Sequence, residues 1–126
     1  MNHICEFNYD ERILITGRVG THGIIHRYSS KCWASDNTLV IKSNYYEFAY
    51  RFLKTVDWNM LNRGSTQPLI TQTDIKNLPL YIPPTNELKS FEVSVHKIMK
   101  LYERNCKEVV KLIALTNMIV CSLSQN

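Results

Sequence analysis

The spacing of apolar residues changes once along this chain, at the Pro83-Pro84 pair. Before the prolines, short runs rich in β-branched residues are separated by glycine, serine and asparagine, which is typical of strands joined by tight turns. Three such runs predict strands over residues 12–16, 23–28 and 37–42. Residues 46–56 instead carry apolar side chains at helical spacing and predict a helix.

The segment that leads to the prolines is predicted in less regular pieces. Residues 61–67 predict a loop, and residues 71–78 predict a single helical turn for which Thr73 is a suitable cap. Residues 80–82 are apolar and predict a short strand. Pro83 and Pro84 would end that strand, because proline has no backbone N–H to donate.

One long helix is predicted after the prolines, from Asn86 to about Ser122, with a length of roughly 55 Å. Thr85 or Asn86 would cap it, and Glu87 favours its first turn. Its seam positions alternate three and four residues apart, and nine of the eleven are apolar, which is typical of a coiled coil. These positions are Leu88, Phe91, Val95, Ile98, Tyr102, Asn105, Val109, Leu112, Thr116, Ile119 and Leu123.

The predicted helix is too long for the small preceding domain to cover, so we expect a partner helix. Asn105 has two interpretations: it is buried and fixes the register of a coiled coil, or it faces solvent where the seam drifts. The predicted fold class is α+β, with a β-rich head at residues 1–84 and a spacer or dimerisation helix at residues 85–126. Four residues widen the apolar stripe on one flank: Met99, Cys106, Ile113 and Val120.

Composition limits the class of protein. The 126 residues are 44% hydrophobic, which is ordinary for a folded domain. The sequence lacks an apolar run long enough to span a membrane, and its first residues do not resemble a signal peptide. The four cysteines include no C-x-x-C pair, so reduced thiols are the better interpretation. We therefore expect a cytoplasmic protein with no membrane partner, no metal and no cofactor.

The net charge of +4 is small, but the basic residues are concentrated in one region. No acidic residue lies between Arg12 and Ser35, a window that holds three arginines, one lysine and two histidines. A basic stripe of this kind attracts phosphates without reading bases. A solvated basic face without a ligand is an equally open interpretation of the charge pattern.

Four motifs follow one another along the chain. They are a strand feeding a glycine-rich basic loop (residues 13–23), a polar patch before a strand (residues 34–41), an aromatic helix (residues 45–53) and the junction at residues 64–84. In this order they resemble the specificity subunits of type I restriction–modification enzymes. The junction is the most distinctive of the four, and the resemblance extends over essentially the whole chain.

The resemblance implies a function. In that family two target-recognition domains alternate with two long helices, which pair antiparallel and set the distance between two DNA half-sites. Such a subunit docks methyltransferase and restriction subunits and is itself non-catalytic. This chain has one recognition unit and one helix, and we expect the recognition unit to lack its front portion, because Met1 lies just before the predicted strand at residues 12–16. We therefore expect a half-length subunit or a fragment that forms a homodimer on a bipartite, palindromic site.

Base reading needs forked donors or acceptors at base edges and cations at phosphates. The glycine loop and the regions near it supply the predicted contacts with double-stranded DNA. These candidates are Arg18, Thr21, His22, Arg27, Lys31, Ser35, Asn37, Arg63, Ser65 and Gln67. The predicted partner-helix contacts are Leu88, Phe91, Val95, Ile98, Tyr102, Asn105, Val109, Leu112 and Ile119.

The sequence also leaves a second function open, a coiled-coil assembly module whose degenerate head no longer reads DNA. Enzyme functions have weaker support. Asp74 and Glu87-Leu88-Lys89 imitate a nuclease pattern, but the glutamate and the lysine open a helix and do not converge from strands. A methyltransferase would need a glycine-rich cofactor site between a strand and a helix, which the sequence does not contain.

Overall fold

One antiparallel sheet of three strands organises the first half of the chain. The computed structural model describes residues 7–21, 23–61 and 69–125. Its strands are β1 (Ile13–Gly17), β2 (His26–Tyr28) and β3 (Thr38–Ile41), arranged in the order β2-β1-β3. The register places Ile13 opposite Tyr28, and Gly17 opposite Thr38.

The central strand β1 is covered on both faces. Leu14 belongs to the main core, together with Trp58 and Ile70, whereas Ile13 and Ile15 pack against Ala34 on the other face. Successive side chains of a strand point to opposite faces. A continuous apolar run therefore needs cover on both sides, which explains why residues 13–15 do not alternate with polar ones.

Two of the three predicted strands are confirmed with nearly the predicted bounds, but β2 is shorter than expected. Residues 23–25 form the approach to β2 and do not join the ladder. Gly23 has a φ of +85°, which is incompatible with an extended strand. Ile25 is buried in the main core, so its apolar character reflects packing and not strand pairing.

The predicted helix at residues 46–56 is confirmed as α1 (Tyr46–Thr55). A 3-10 turn, Trp58–Leu61, follows it and was not predicted. The indole N–H of Trp58 donates to the carbonyl of Leu53 at 3.1 Å, and both residues are buried in the main core. This bond satisfies a free carbonyl at the end of α1 and folds the chain back over the sheet.

The predicted helical turn is present as α2 (Gln72–Lys76), but its cap is Thr71 and not Thr73. The Thr71 hydroxyl accepts from the backbone N–H of Asp74, and the Asp74 carboxylate accepts from the N–H of Thr71 at 2.9 Å. The predicted strand at residues 80–82 is wrong. Those residues form no ladder, and their side chains are mostly exposed.

The long helix is α3 (Thr85–Ser124), which at 40 residues is about 60 Å long. The cap prediction is wrong, because Pro84 occupies the cap position and no side chain caps the helix. Thr85 and Asn86 both lie inside its first turn. The first half of α3 packs against α1 and buries Leu88 and Met99, whereas every residue from Arg104 to Gln125 is exposed.

Candidate nucleic-acid interface

A tight loop follows β1, and glycine is required at two of its positions. A Cβ atom on Gly17 would lie 1.9 Å from the Oγ1 of Thr21, and one on Gly23 would lie 2.8 Å from the ring of Trp58. The backbone N–H of Thr21 donates to the carbonyl of Val19 at 2.8 Å. The loop is therefore compact and leaves Thr21 exposed at its tip.

Arg18 is fixed at the base of this loop by its backbone. Its N–H donates to the carbonyl of Asn37 and its carbonyl accepts from the N–H of Ile70, both at 3.0 Å. Three chain segments therefore meet at Arg18. Its Nε is buried without a hydrogen-bond partner among the described residues. The hydrogen bonds fix the backbone position from which the Arg18 side chain extends.

Arg18 lines an open groove of about 660 Å³, which we call the polar groove. Its other polar lining residues are Asn8, Ser35, Asp36, Thr38, Lys42 and Gln72. The Asn8 side chain donates to the carbonyl of Ala34 and accepts from its N–H, both at 2.8 Å. This pair of bonds fixes the turn that presents Ser35. The groove therefore holds hydrogen-bonding groups of both kinds at defined positions, together with two cations.

The structure brings only some of the predicted DNA-binding residues to the polar groove. Arg18 and Ser35 line it, and Asn37 is exposed beside it, bonded to Arg18 through its carbonyl. Lys31 is exposed elsewhere, with its amine 4.6 Å from the ring centroid of Phe7. The remaining candidates His22, Arg63, Ser65 and Gln67 lie outside the described residues.

Arg27 lies in a different place, a cluster of charged residues between the head and α3. Its guanidinium makes two hydrogen bonds to the Glu47 carboxylate, at 2.6 and 3.0 Å. Arg12 bonds the same carboxylate at 2.7 Å, and the Nδ1 of His96 lies 3.5 Å from it. Arg27 also lies 3.5 Å from Glu103 of α3. We call these five residues the Glu47 cluster.

The side chain of Glu47 is fully buried, and aromatic rings surround its partners. The guanidinium of Arg12 lies 4.1 Å from the ring centroid of Tyr46, and that of Arg27 lies 4.7 Å from the ring centroid of Tyr50. Burial opposes ionisation of Glu47, but the hydrogen bond and charge of Arg27, with His96 and Arg12, hold its pKa below the ordinary value of 4.5. The carboxylate therefore stays charged inside the protein.

A second carboxylate also links the head to α3. The side chain of Glu92 in α3 accepts from the backbone N–H groups of Glu47 and Phe48, at 3.2 and 2.7 Å. These N–H groups open α1, which has no cap of its own from Tyr45. A negative charge at a helix N-terminus is favourable because the first N–H groups lack partners within the helix. Helix α3 therefore caps α1.

The basic stripe expected from the sequence is divided between two places. Arg12 and Arg27 face Glu47, an acid that lies outside the acid-free sequence window, whereas Arg18 lines the polar groove. The polar groove also includes polar residues that were not predicted to bind DNA, namely Asn8, Asp36, Thr38, Lys42 and Gln72. They come from three separate segments of the chain, so no local sequence signal groups them.

The predicted seam of α3 also divides into two parts. Leu88 packs inside its own chain and is 3% exposed, and Val95 is half-buried. The seam residues beyond them are exposed and form a continuous apolar stripe along the second half of the helix. They include Ile98, Tyr102, Val109, Leu112, Ile119 and Leu123, each more than half exposed. Asn105 is exposed on the same stripe.

The described residues contain no group of three or more histidine, cysteine, aspartate or glutamate side chains placed to hold a metal ion. Within the same ranges, no helix is both long and apolar enough to cross a membrane. Cys32, Cys106 and Cys121 are free thiols, and burial raises the pKa of Cys32.

The described residues form an α+β protein: a small head with a polar groove, joined to a long helix that the head covers only in part. The family model for the type I restriction modification DNA specificity domain matches residues 1–113. The chain therefore belongs to the type I restriction–modification DNA specificity family, as the order of its motifs indicated. A search of curated proteins finds no match.

Proposed function

We propose that this chain is a non-catalytic specificity subunit that binds double-stranded DNA through its polar groove and glycine loop. The observation that carries the proposal is the fixed position of Arg18, whose backbone is bonded to two other segments and whose side chain lines the groove. Arginine is suited to guanine edges and to phosphates because its donors form a rigid fork. Ser35, Asn37 and Thr21 supply smaller polar contacts around it.

The assembly we propose is a homodimer through antiparallel pairing of α3. Its support is the exposed apolar stripe, which extends over the half of the helix that the head does not cover. A two-fold dimer would present two identical heads to DNA, so the target would be palindromic and interrupted. Methyltransferase and restriction subunits would supply the chemistry, and the complex would act in the cytoplasm.

Binding to duplex DNA tests this function directly. A preferred sequence is first selected from a random duplex pool, and affinity is then measured by fluorescence anisotropy at several salt concentrations. We expect sequence preference to persist at moderate salt. If Arg18 contacts a base, replacing it by alanine should weaken binding by about 1–3 kcal/mol and relax the preference at one base pair. If Arg18 binds a phosphate, the same change should reduce the slope of log affinity against log salt concentration by about 0.9.

A matched control is available on α1. Lys54 is an exposed cation in the last turn of that helix and does not line the polar groove. Replacing Lys54 by alanine removes the same formal charge and should leave affinity nearly unchanged. Equal binding by the wild type and the Arg18 variant would contradict the proposed groove.

The second candidate function, an assembly module that does not read DNA, is favoured by one observation. Arg12 and Arg27 are engaged by Glu47, which leaves fewer cations free for phosphates. This function predicts only weak, sequence-blind association that disappears at moderate salt. The same salt titration therefore separates the two functions.

A further inference from the structure

An apolar groove lies between α1, the segment before α3 and the first turns of α3. It has a volume of about 580 Å³ and is lined mainly by Phe48, Phe52, Tyr81, Pro83, Leu88 and Phe91. A second apolar cavity of about 330 Å³ shares four residues with it, Phe48, Phe52, Leu80 and Leu88. Tyr81 lines the groove and is 82% exposed.

The apolar groove opens at one end of the predicted helix seam. Phe91 is both a seam position and a lining residue, and Glu87, one helical turn before it, lies at the rim. At 100° per residue these two side chains lie within about 40° of each other around α3. They also share this side of the helix with Ile98 and Val109 of the exposed stripe. A helix that packs along the stripe would therefore reach the groove.

The register of an antiparallel pair identifies what would arrive there. When two copies of α3 pair antiparallel over their whole length, Tyr102 lies opposite the partner's Asn105. Each seam position before Tyr102 then lies opposite the corresponding seam position after the partner's Asn105, and the reverse. The turn of α3 that contains Leu88, itself buried against its own head, then lies level with the partner's Ile119, and Pro84 lies level with the partner's Leu123. A shift of one heptad in either direction would leave about one heptad of each helix unpaired or extending past the other.

The chemistry of the C-terminal end fits the apolar groove. Residues 112–126 contain no charged side chain, and Ile119, Val120 and Leu123 are 52%, 59% and 69% exposed. Such a segment loses no ionic solvation when it is buried. The groove offers mainly aromatic and aliphatic carbon, with Arg51 and Glu87 among its few charged lining residues.

We propose that the apolar groove of each head is the binding site for the last two turns of α3 from a second copy of this chain. The inference rests on the homodimer of the proposed function and adds a contact between head and helix in trans. Each head would then be held by two helices, its own through the Glu47 cluster and the partner's through the groove. These contacts at both ends of the helix pair would fix the orientation of the two heads relative to each other.

Cysteine cross-linking tests this contact. In a variant without Cys5, Cys32, Cys106 and Cys121, the changes Tyr81→Cys and Leu123→Cys are combined and treated with a short bis-maleimide reagent. The two sites stand at opposite ends of an α3 that is about 60 Å long, so a bond between them within one chain is excluded. We expect a covalent dimer from the double variant and none from either single variant.

A second pair of cysteines separates the two proposals. Leu101→Cys and Glu108→Cys lie at flanking positions near the middle of the helix pair, and a covalent dimer formed by this double variant but by neither single variant reports antiparallel pairing without reference to the head. If this central pair cross-links and the Tyr81–Leu123 pair does not, the groove contact is wrong and the helix dimer stands. If neither pair cross-links and light scattering shows a monomer, both proposals fail. Cross-linking of Leu123→Cys with itself would indicate a parallel dimer and contradict both.

Affinity measurements give an independent readout. Tyr81 lies outside α3, so simple helix pairing does not require it. Tyr81→Asp should weaken dimerisation at least about tenfold by sedimentation equilibrium, because it places a charge in an apolar contact. Ile24→Asp is the matched control, since Ile24 is 55% exposed on the head and does not line the groove. Equal dissociation constants for the two variants would contradict the groove contact.

Discussion

Glu47 is the residue on which the joint between the head and α3 depends. Its carboxylate is fully buried and binds two arginines, one of them only 12% exposed. Removing one partner of a buried ion pair leaves the other charge without compensation, which is more costly than the pair itself is stabilising. The cluster is therefore sensitive to single substitutions even if its net contribution to stability is small.

Replacing Glu47 by alanine should lower the free energy of unfolding by about 3 kcal/mol, because Arg27 would remain largely buried with only its longer contact to Glu103. Urea unfolding followed by circular dichroism measures the change. Glu11→Gln is the control: Glu11 also pairs with a cation, Lys42, but both side chains are about half exposed and the effect should be small. Similar unfolding midpoints for the two variants would show that the cluster does not hold the head.

The lowered pKa of Glu47 also gives the joint a pH dependence. A carboxyl group whose pKa is lower in the folded than in the unfolded state stabilises the protein above the unfolded value. Stability should therefore fall as the pH drops below about 4.5 and continue to fall through the folded pKa. In Glu47→Gln this component should be missing, and the difference between wild type and variant should shrink in acid. A constant difference from pH 7 to pH 3 would contradict this assignment.

At the scale of elements, α2 shows how a nearly correct prediction fails in detail. The sequence pattern predicts Thr73 as the cap, but Thr71, two residues earlier, is of the same residue type and is equally common at caps. Asp74 decides between them, because it lies three residues after Thr71 and completes a reciprocal pair of hydrogen bonds. The capping-box spacing was therefore present in the sequence and indicates Thr71.

Thr71→Ala should destabilise the protein by about 1 kcal/mol, because it removes a cap hydroxyl bonded to the N–H of Asp74. Thr73→Ala changes the same residue type two positions later, at an exposed site inside the helical turn, and should have little effect. Chemical denaturation of both variants checks the assignment. A larger loss of stability in Thr73→Ala than in Thr71→Ala would show that Thr73 is the cap, as the sequence predicts.

Other elements were predicted well, for physical reasons that a sequence can express. Strand β1 is a run of β-branched and aliphatic residues that ends at Gly17, and α3 has an apolar repeat of three and four residues. Residues 80–82 are also apolar, but their side chains contribute to grooves on the head surface and not to a sheet. An apolar triplet does not distinguish these two roles.

At the scale of the whole molecule, the limit of the sequence is contact between distant segments. The acid-free window suggested a single basic face, yet the acid that binds Arg12 and Arg27 lies 20 or more positions away, on α1. Asn8 fixes Ala34 across 26 positions, and no local pattern indicates that bond. Family membership could be predicted because the order of the motifs can be read directly along the sequence. That Arg12 and Arg27 bind Glu47 while Arg18 lines the polar groove could not be predicted, because it depends on contacts between distant segments.

The uncovered half of α3 has a consequence for the lone chain in solution. Every residue from Arg104 to Gln125 is exposed, and most of the stability of a helix in a protein comes from the packing of its apolar face and not from intrinsic propensity. Mean residue ellipticity at 222 nm should therefore become more negative as the protein is concentrated from nanomolar to micromolar. A value that does not change with dilution would mean that this segment is helical without help, and that its folding and its self-association are not linked.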